Sequence, residues 1–346
     1  FIAKYSSAGA YQWAFDLSSG GGARVINLTT DASNNVYAIG IFRDSVDFDP
    51  SGAGTAKLFS ASNATYDIFV AKYSSAGAYQ WAFRIGGTSD DTGGDIFLNA
   101  AGELVVVGFF QGTIDADPTA TTLNFTTAGS YDCFAARYDV NSTACLGAWR
   151  WGGTGSDRAF AAREDGNGDI VVAGRFTGTT NFNNALTPTI PATSAGSEDG
   201  FVVKFSSTGT HQWNATLGST AGNEEALALT IDPSNNVYIG GTFANTVDFD
   251  PSAGTAPLTP AGGFDGYIAK YNSAGTYQWA LPLGGTGADN VRGLFWHANQ
   301  VYAVGSFAGT VDFDPTAGTF TLPNAGSSDV YLARYGDATG NFIGAI

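Results

Sequence analysis

The chain has 346 residues, a formal net charge of −16 and only 13% charged residues, with 47 Gly, 25 Phe, 15 Tyr and 7 Trp. Such acidity excludes nucleic acid and an anionic membrane surface as partners, because a polyanion binder needs a basic footprint. No apolar run reaches the roughly eighteen residues of a membrane-spanning helix, and a Gly- and aromatic-rich, charge-poor composition suits a β protein with many turns.

Read from its first residue, the chain opens on FIAKYSSAGAYQWAF (Phe1–Phe15) and repeats it almost unchanged at Phe69–Phe83. Looser copies begin at Phe134, Phe201, Tyr267 and Tyr331, so the basic position falls at Lys4, Lys72, Arg137, Lys204, Lys270 and Arg334, spaced by 68, 65, 67, 66 and 64 residues. A fixed period means one supersecondary unit stacked on copies of itself. The second copy serves as template. Asp67–Tyr73 reads as a strand, Ser74–Gly77 as a turn and Ala78–Phe83 as the returning strand. A Gly-Gly connection (Gly86–Asp91) leads to Asp95–Asn99, a turn at Ala100–Glu103 and the strand Leu104–Phe110.

Four strands in two hairpins per repeat of about 66 residues predict an all-β fold, a β-propeller of four-stranded blades. The second hairpin type, VYxxGxF, recurs at Val36–Phe42, Leu104–Phe110, Ile170–Phe176, Val237–Phe243 and Val301–Phe307. Chain order makes it the inner half of each blade and the FxAKY…W phrase the outer half. Six outer but five inner hairpins give six blades with the first incomplete. Five blades remain open if Phe1–Phe15 closes on Val301–Phe307, and seven would need further sequence. The expected unit is a single propeller over 1–346, with repeat hairpins starting near 1, 67, 132, 199, 265 and 329. Because Phe1 falls inside a repeat and the chain has no Met, it is expected to be part of a larger precursor.

The mid-strand glycine (Gly40, Gly108, Gly174, Gly241, Gly305) marks close backbone approach. The Phe two residues later and the series Trp13, Trp81, Trp213 and Trp279 are expected to pack between blades. The basic residues of the phrase are expected to blunt exposed sheet edges and lay their stems over aromatics, a basic ligand stripe being the alternative. Cys133 and Cys145 lie in the third copy, several residues out of register, and leave open either a disulfide or two unpaired side chains.

Acids recur after the VYxxGxF strand as Asp47-Phe48-Asp49-Pro50, Asp115-Ala116-Asp117-Pro118, Asp248-Phe249-Asp250-Pro251 and Asp312-Phe313-Asp314-Pro315; the third copy reads Asn181-Phe182-Asn183-Asn184. A second acid follows the double glycine at Asp91, Asp157 and Asp289, with Asn223 and Ala23 at the matching places. Carboxylates at i and i+2 of an extended chain point the same way, so they can share Ca²⁺ with carbonyls and water. Both loops are expected on one rim. The alternative is that these aspartates cap turns through side-chain to backbone hydrogen bonds.

Catalysis finds little support. His211 and His297 fall at non-equivalent places in or near turns, and neither a G-x-S-x-G nucleophile motif nor a zinc spacing is present. The Gly-Gly-Thr-Gly runs lack the Lys-Ser/Thr of a phosphate loop.

GGTGSD, GNGDIVVAGRF, VDFDPSAGT and DGYIAKYNSAGTYQWA resemble the bacterial SBBP-type β-propeller repeat, and the VDFDP variant is similar to repeats of large secreted and cell-surface proteins of Bacteroidetes. The resemblance spans essentially the whole chain and implies an extracellular or cell-surface setting. The leading expectation is a non-enzymatic structural or adhesive module whose partners are other surface proteins, glycans or further repeats of the same precursor. A glycan-binding propeller with Trp and Asp acting together comes second. A lyase or glycosidase using rim carboxylates comes third.

Overall fold

The computed structural model describes residues 1–17, 22–52, 55–183, 188–316 and 318–346; Asn184 of the divergent third loop lies outside them. All regular structure among them is β, and no helix is long and apolar enough to cross a membrane. The chain divides into two compact units, Phe1–Ala159 and Phe160–Ile346, the boundary falling within the strand Arg158–Glu164.

The first unit opens with the hairpin β1 (Ile2–Tyr5) and β2 (Tyr11–Phe15). A complete repeat follows: β3 (Ala23–Thr30), β4 (Val36–Phe42), β5 (Ser45–Asp47), β6 (Lys57–Phe59), β7 (Asp67–Tyr73) and β8 (Tyr79–Gly87). Strands β3-β4-β7-β8 form an antiparallel meander, the blade of a β-propeller. The second blade uses Thr92–Leu98, Leu104–Phe110, Asp132–Tyr138 and Cys145–Gly153. In the second unit the strands starting at Arg158, Glu225 and Gly293 open three more blades of the same order. The strand Gln300–Phe307 pairs with Asp329–Gly336 of its own blade.

One element goes beyond the expected four strands. Between the second and third strand of each blade a short hairpin is inserted: β5–β6, Thr113–Asp115 with Asn124–Thr126, Thr179–Asn181 with Pro191–Thr193, Val247–Asp248 with Pro257–Leu258, and Val311–Asp312 with Thr321–Leu322. The Asp-x-Asp-Pro segments stand at its tip. Two or three residues per strand are too few to show period-two alternation, which is why the sequence reads as loop there.

β4 and β7 are buried along their whole length, since each faces a neighbour on both sides. This explains why VYAIGIF and DIFVAKY are near-continuous apolar runs rather than alternating ones. First strands of consecutive blades pack together, as Ala23–Thr30 does on Thr92–Leu98, and Asn27 Nδ2 donates to Asp95 Oδ1 at 2.7 Å. Four of the five complete blades also close an aromatic triad, the second having Ala116 at the middle position beside the Phe110–Phe134 pair. Phe42, Phe48 and Phe69 are fully buried, with ring centroids of Phe48 and Phe69 4.9 Å apart; Phe243, Phe249 and Tyr267 repeat the arrangement, as do Phe307, Phe313 and Tyr331. The Phe between the two aspartates therefore points into the core, as alternation required.

Candidate functional site

The outer hairpins reveal what the repeated phrase does. Trp81 Nε1 and Lys72 Nζ both donate to the Val140 carbonyl, in the outer turn of the next blade, at 3.1 and 3.4 Å. Trp279 and Lys270 do the same to Asp337 at 3.1 and 2.8 Å, and Trp13 and Lys4 to Ser75 at 3.1 and 2.8 Å. Trp213 reaches Ser273 at 3.1 Å, while Lys204 turns to Asp165 at 2.6 Å. The tryptophans thus join neighbouring elements, as expected. The lysines depart from expectation, because Lys72, Lys204 and Lys270 are buried, and two of them sit 5.0 Å over the rings of Tyr37 and Tyr238. An ammonium that donates to a carbonyl and faces an aromatic ring is satisfied away from water. Blades two and five lack the latch: Gly147 and Gly344 replace Trp, opposite Arg137 and Arg334.

Each Asp-x-Asp-Pro aspartate puts one carboxylate oxygen, Oδ1, on its own loop. Asp47 Oδ1 accepts from the amides of Asp49 and Ala56 at 3.1 and 2.8 Å, and those amides hold its pKa below the ordinary carboxylate value. Asp115, Asp248 and Asp312 repeat both bonds. Asn181, neutral, does so as well, at 3.1 and 2.8 Å. The second aspartates, Asp49, Asp117, Asp250 and Asp314, each accept from the amide two residues on. A role that Asn fills needs an acceptor oxygen, not a charge. The tyrosine of the phrase is tied in too: Tyr73 Oη donates to the Phe48 carbonyl at 3.1 Å, and Tyr138, Tyr271 and Tyr335 match it.

The post-glycine acids are buried. Asp91 accepts from Gly87 at 2.8 Å and from Gln111 at 3.2 Å; Asp289 accepts from Gly285 and Ala308 at 2.8 and 2.9 Å; Asp157 accepts from Gly153 at 2.9 Å. Burial, against the pull of those amides, raises the pKa of Asp91 to about 8, and it raises that of Asp289. One assignment shifts by a residue. Glu224, not Asn223, takes the acid's place in the fourth blade, accepting from Ser219, because Asn223 aligns with Ser156 and Ala288 in the parallel bridges.

A further series escaped the sequence reading: Asp67, Asp132, Asp199 and Asp265 begin the third blade strands and are buried. Each accepts from an amide of the preceding turn, from Ala61, Ala128, Ala195 and Ala261 respectively, and Arg84 and Arg150 pair with the first two at 3.0 and 2.8 Å. Burial raises all four pKa values, that of Asp67 to about 6. The double glycine was their signal. A Cβ on Gly86 would stand 2.6 Å from Asp67 Cγ, one on Gly152 2.5 Å from Asp132 Cγ, and one on Gly87 would strike the Thr113 carbonyl of the next inserted hairpin.

The Asp-Pro and double-glycine segments pair with one another. Ile114 and Asp115 pair with Gly87 and Gly86, and Gly285 bridges Val311. Yet among the described residues no group of three or more His, Cys, Asp or Glu is placed to hold a metal ion. Cys133 and Cys145 are free thiols, opposite Trp151 and Tyr138 in their hairpin. His211 bonds Asn214 at 2.9 Å, and burial lowers its pKa.

Two grooves in the first unit run between an outer strand and the next Asp-Pro loop. One, of about 470 Å³, is lined by Trp13, Phe15, Asp49, Pro50 and Tyr79, with the Trp13 and Phe15 rings stacked at 5.4 Å. The other, about 310 Å³, is lined by Phe83, Arg84, Asp115, Asp117 and Pro118.

No family model matches the chain. It is 26% identical to an uncharacterised WD repeat-containing protein of Acanthamoeba polyphaga mimivirus, over 61% of this chain and 17% of that protein. It is 27% identical to the regulatory protein FlaEY of Caulobacter vibrioides, over 98% of this chain and 35% of that one. The chain therefore spans well under half the length of either relative. Among solved structures, a quinohemoprotein alcohol dehydrogenase of Pseudomonas putida aligns with 92% of this chain and 49% of its own, at 11% identity and a TM-score of 0.39.

Proposed function

We propose that this chain is a non-catalytic β-propeller module of a bacterial surface or secreted protein, acting as a structural or adhesive element. The observation that carries this reading is where its repeated polar groups go. The aspartates of both loop series accept backbone amides, and the Trp and Lys of the phrase latch one element to the next. Acids engaged in this way in repeat after repeat act as fold devices rather than as one catalytic pair. The resemblance to SBBP-type repeats supports an extracellular setting. The test exposes the immobilised chain to bacterial surface-protein fractions and to a polysaccharide panel. Specific retention without product formation is expected, and turnover of any polysaccharide would sink the reading.

The grooves favour glycan binding as a second reading, since an aromatic platform beside a carboxylate suits the apolar face and hydroxyls of a sugar. A glycan array without signal, or binding unchanged in Trp13→Ala with Asp49→Ala, removes it.

A further inference from the structure

Lys204 departs from its counterparts together with two neighbouring positions. In the blades opened by Ala23 and Glu225, the turn aspartates Asp31 and Asp232 each use Oδ2 for two partners. These are the side-chain amide of Asn35 or Asn236, at 2.8 and 2.7 Å, and the hydroxyl of Tyr37 or Tyr238, at 3.2 and 3.0 Å. In the blade opened by Arg158 the matching turn acid is Asp165, but Asp169 stands at the place of Asn and Val171 at that of Tyr. Lys204, opposite Val171 in the ladder, takes over Oδ2: its Nζ lies 2.6 Å from Asp165 Oδ2 and 3.1 Å from Asp169 Oδ2.

The cluster is shut off from water. The side chains of Lys204 and Asp165 are 4% and 1% exposed, and that of Asp169 is 16% exposed. Asp165 Oδ1 accepts from the amides of Asn167 and Asp169 at 2.8 and 3.1 Å. One carboxyl group therefore has an amine at one oxygen and two backbone donors at the other, with a second carboxylate beside the amine. The second blade offers a contrast. There Arg137 meets Glu103 at 2.9 Å, and a guanidinium in a protein stays protonated and is no nucleophile.

We propose that Lys204 and Asp165 form a self-modification site, which closes an isopeptide bond between Lys204 Nζ and Asp165 Cγ with loss of one water. Burial disfavours separated charges, which favours passage of a proton from Nζ to Oδ2 across the 2.6 Å contact. The amine then attacks Cγ, and the negative charge that develops on Oδ1 falls on the two amides already placed there. Asp169 takes a second proton from the attacking nitrogen and hands it to the Oδ2 hydroxyl, which leaves as water. The new C–N bond replaces the Cγ–Oδ2 bond, Asp169 ends as it began, and nothing is oxidised or reduced. The product ties the turn of the blade's first hairpin to its third strand, two points 39 residues apart in sequence, and constrains the unfolded chain as a disulfide would.

The test is the intact mass of the folded full chain, followed by a tryptic peptide map. The expected mass is that of the sequence less one water. The expected map contains a branched peptide that joins residues 164–175 to the segment around Lys204, uncut at Lys204. Lys204→Arg should restore the full mass. Asp169→Asn should fold, because Asn35 and Asn236 occupy that place in other blades, and should also keep the full mass. The proposal is overturned by a parent of full mass, or by a water loss that persists in Lys204→Arg, as a succinimide at Asp165-Gly166 would give. It is overturned equally if Asp169→Asn cross-links as completely as the parent.

Discussion

Trp279 and Asp337 lie 58 residues apart and in consecutive blades, yet the indole Nε1 of the first donates to the main-chain oxygen of the second at 3.1 Å. Lys270 Nζ shares that oxygen at 2.8 Å, and a Cβ on Gly340 would stand 3.1 Å from the indole ring, so ring and turn are in close contact. The phrase is therefore a two-donor latch. Its Trp and Lys reach forward, while its own turn receives the latch of the repeat before.

Removing only the donor should cost little and removing the ring much. Trp279→Phe is expected to destabilise by about 1 kcal/mol, the net worth of one hydrogen bond. Trp279→Ala should cost about 3–5 kcal/mol, because the side chain is 9% exposed and leaves a cavity. Urea unfolding followed by fluorescence separates the two; equal losses would mean that the packing contributes nothing.

A similar contact explains the double glycine. Gly284 carries no Cβ because one there would strike the Asp265 carboxyl carbon and stand 2.6 Å from its Oδ2. Gly284→Ala should destabilise by about 1–3 kcal/mol through overpacking. Asp265→Ala should cost about 1–3 kcal/mol, since the buried amides of Ala261 and Gly262 lose their acceptor. In the double variant the new methyl enters the space the carboxylate left, so the combined loss should fall below the sum of the two. Strict additivity, measured by the same unfolding curves, would refute the contact.

These cases show what was legible and what was not. The blade order followed from period and from apolar runs such as Val36–Phe42, because a strand buried on both faces has no choice of composition. The Trp series was legible as packing, since one position holding indole at four of six recurrences has little else to do. The inserted hairpins were not legible, their strands being two or three residues long. Lys72 reads as a surface residue from any local window, because its acceptor at Val140 lies 68 residues away. Asp67 was hidden for the same reason: its glycine, Gly86, is its neighbour only across a folded hairpin.

The buried acids set a pH dependence whose sign is unusual for carboxylates. Burial, reinforced by the charges of Asp67 and Asp90, holds Asp91 protonated to about pH 8, and burial holds Asp67 to about 6. In the unfolded chain both titrate near their ordinary value of about 3.9. Between these limits the native state binds more protons than the unfolded one, so stability falls as pH rises. The contribution is complete below about pH 4 and is lost on passing through about 6 for Asp67 and about 8 for Asp91. Melting temperature should decline from pH 5 to pH 8.5, and Asp91→Asn should flatten the slope whatever it does to the absolute value. A slope identical in the variant, or stability rising with pH, would contradict the assignment.

The Asp-x-Asp-Pro loops separate two roles that look alike in sequence. If Asp248 serves as an acceptor for the amides of Asp250 and Ala256, at 3.1 and 2.8 Å, Asn should replace it at a cost within about 0.5 kcal/mol, as Asn181 does in the third repeat. Asp248→Ala removes the acceptor and should cost about 0.5–2 kcal/mol, the range for losing a capping oxygen. A calcium ion would reverse the ranking, because it needs the charge and Asn supplies only one carbonyl oxygen. Thermal melts in millimolar calcium and in chelator should coincide, for the parent and for both variants. A calcium-dependent rise abolished in Asp248→Asn would show instead that charge, and not the acceptor oxygen alone, is what this loop uses.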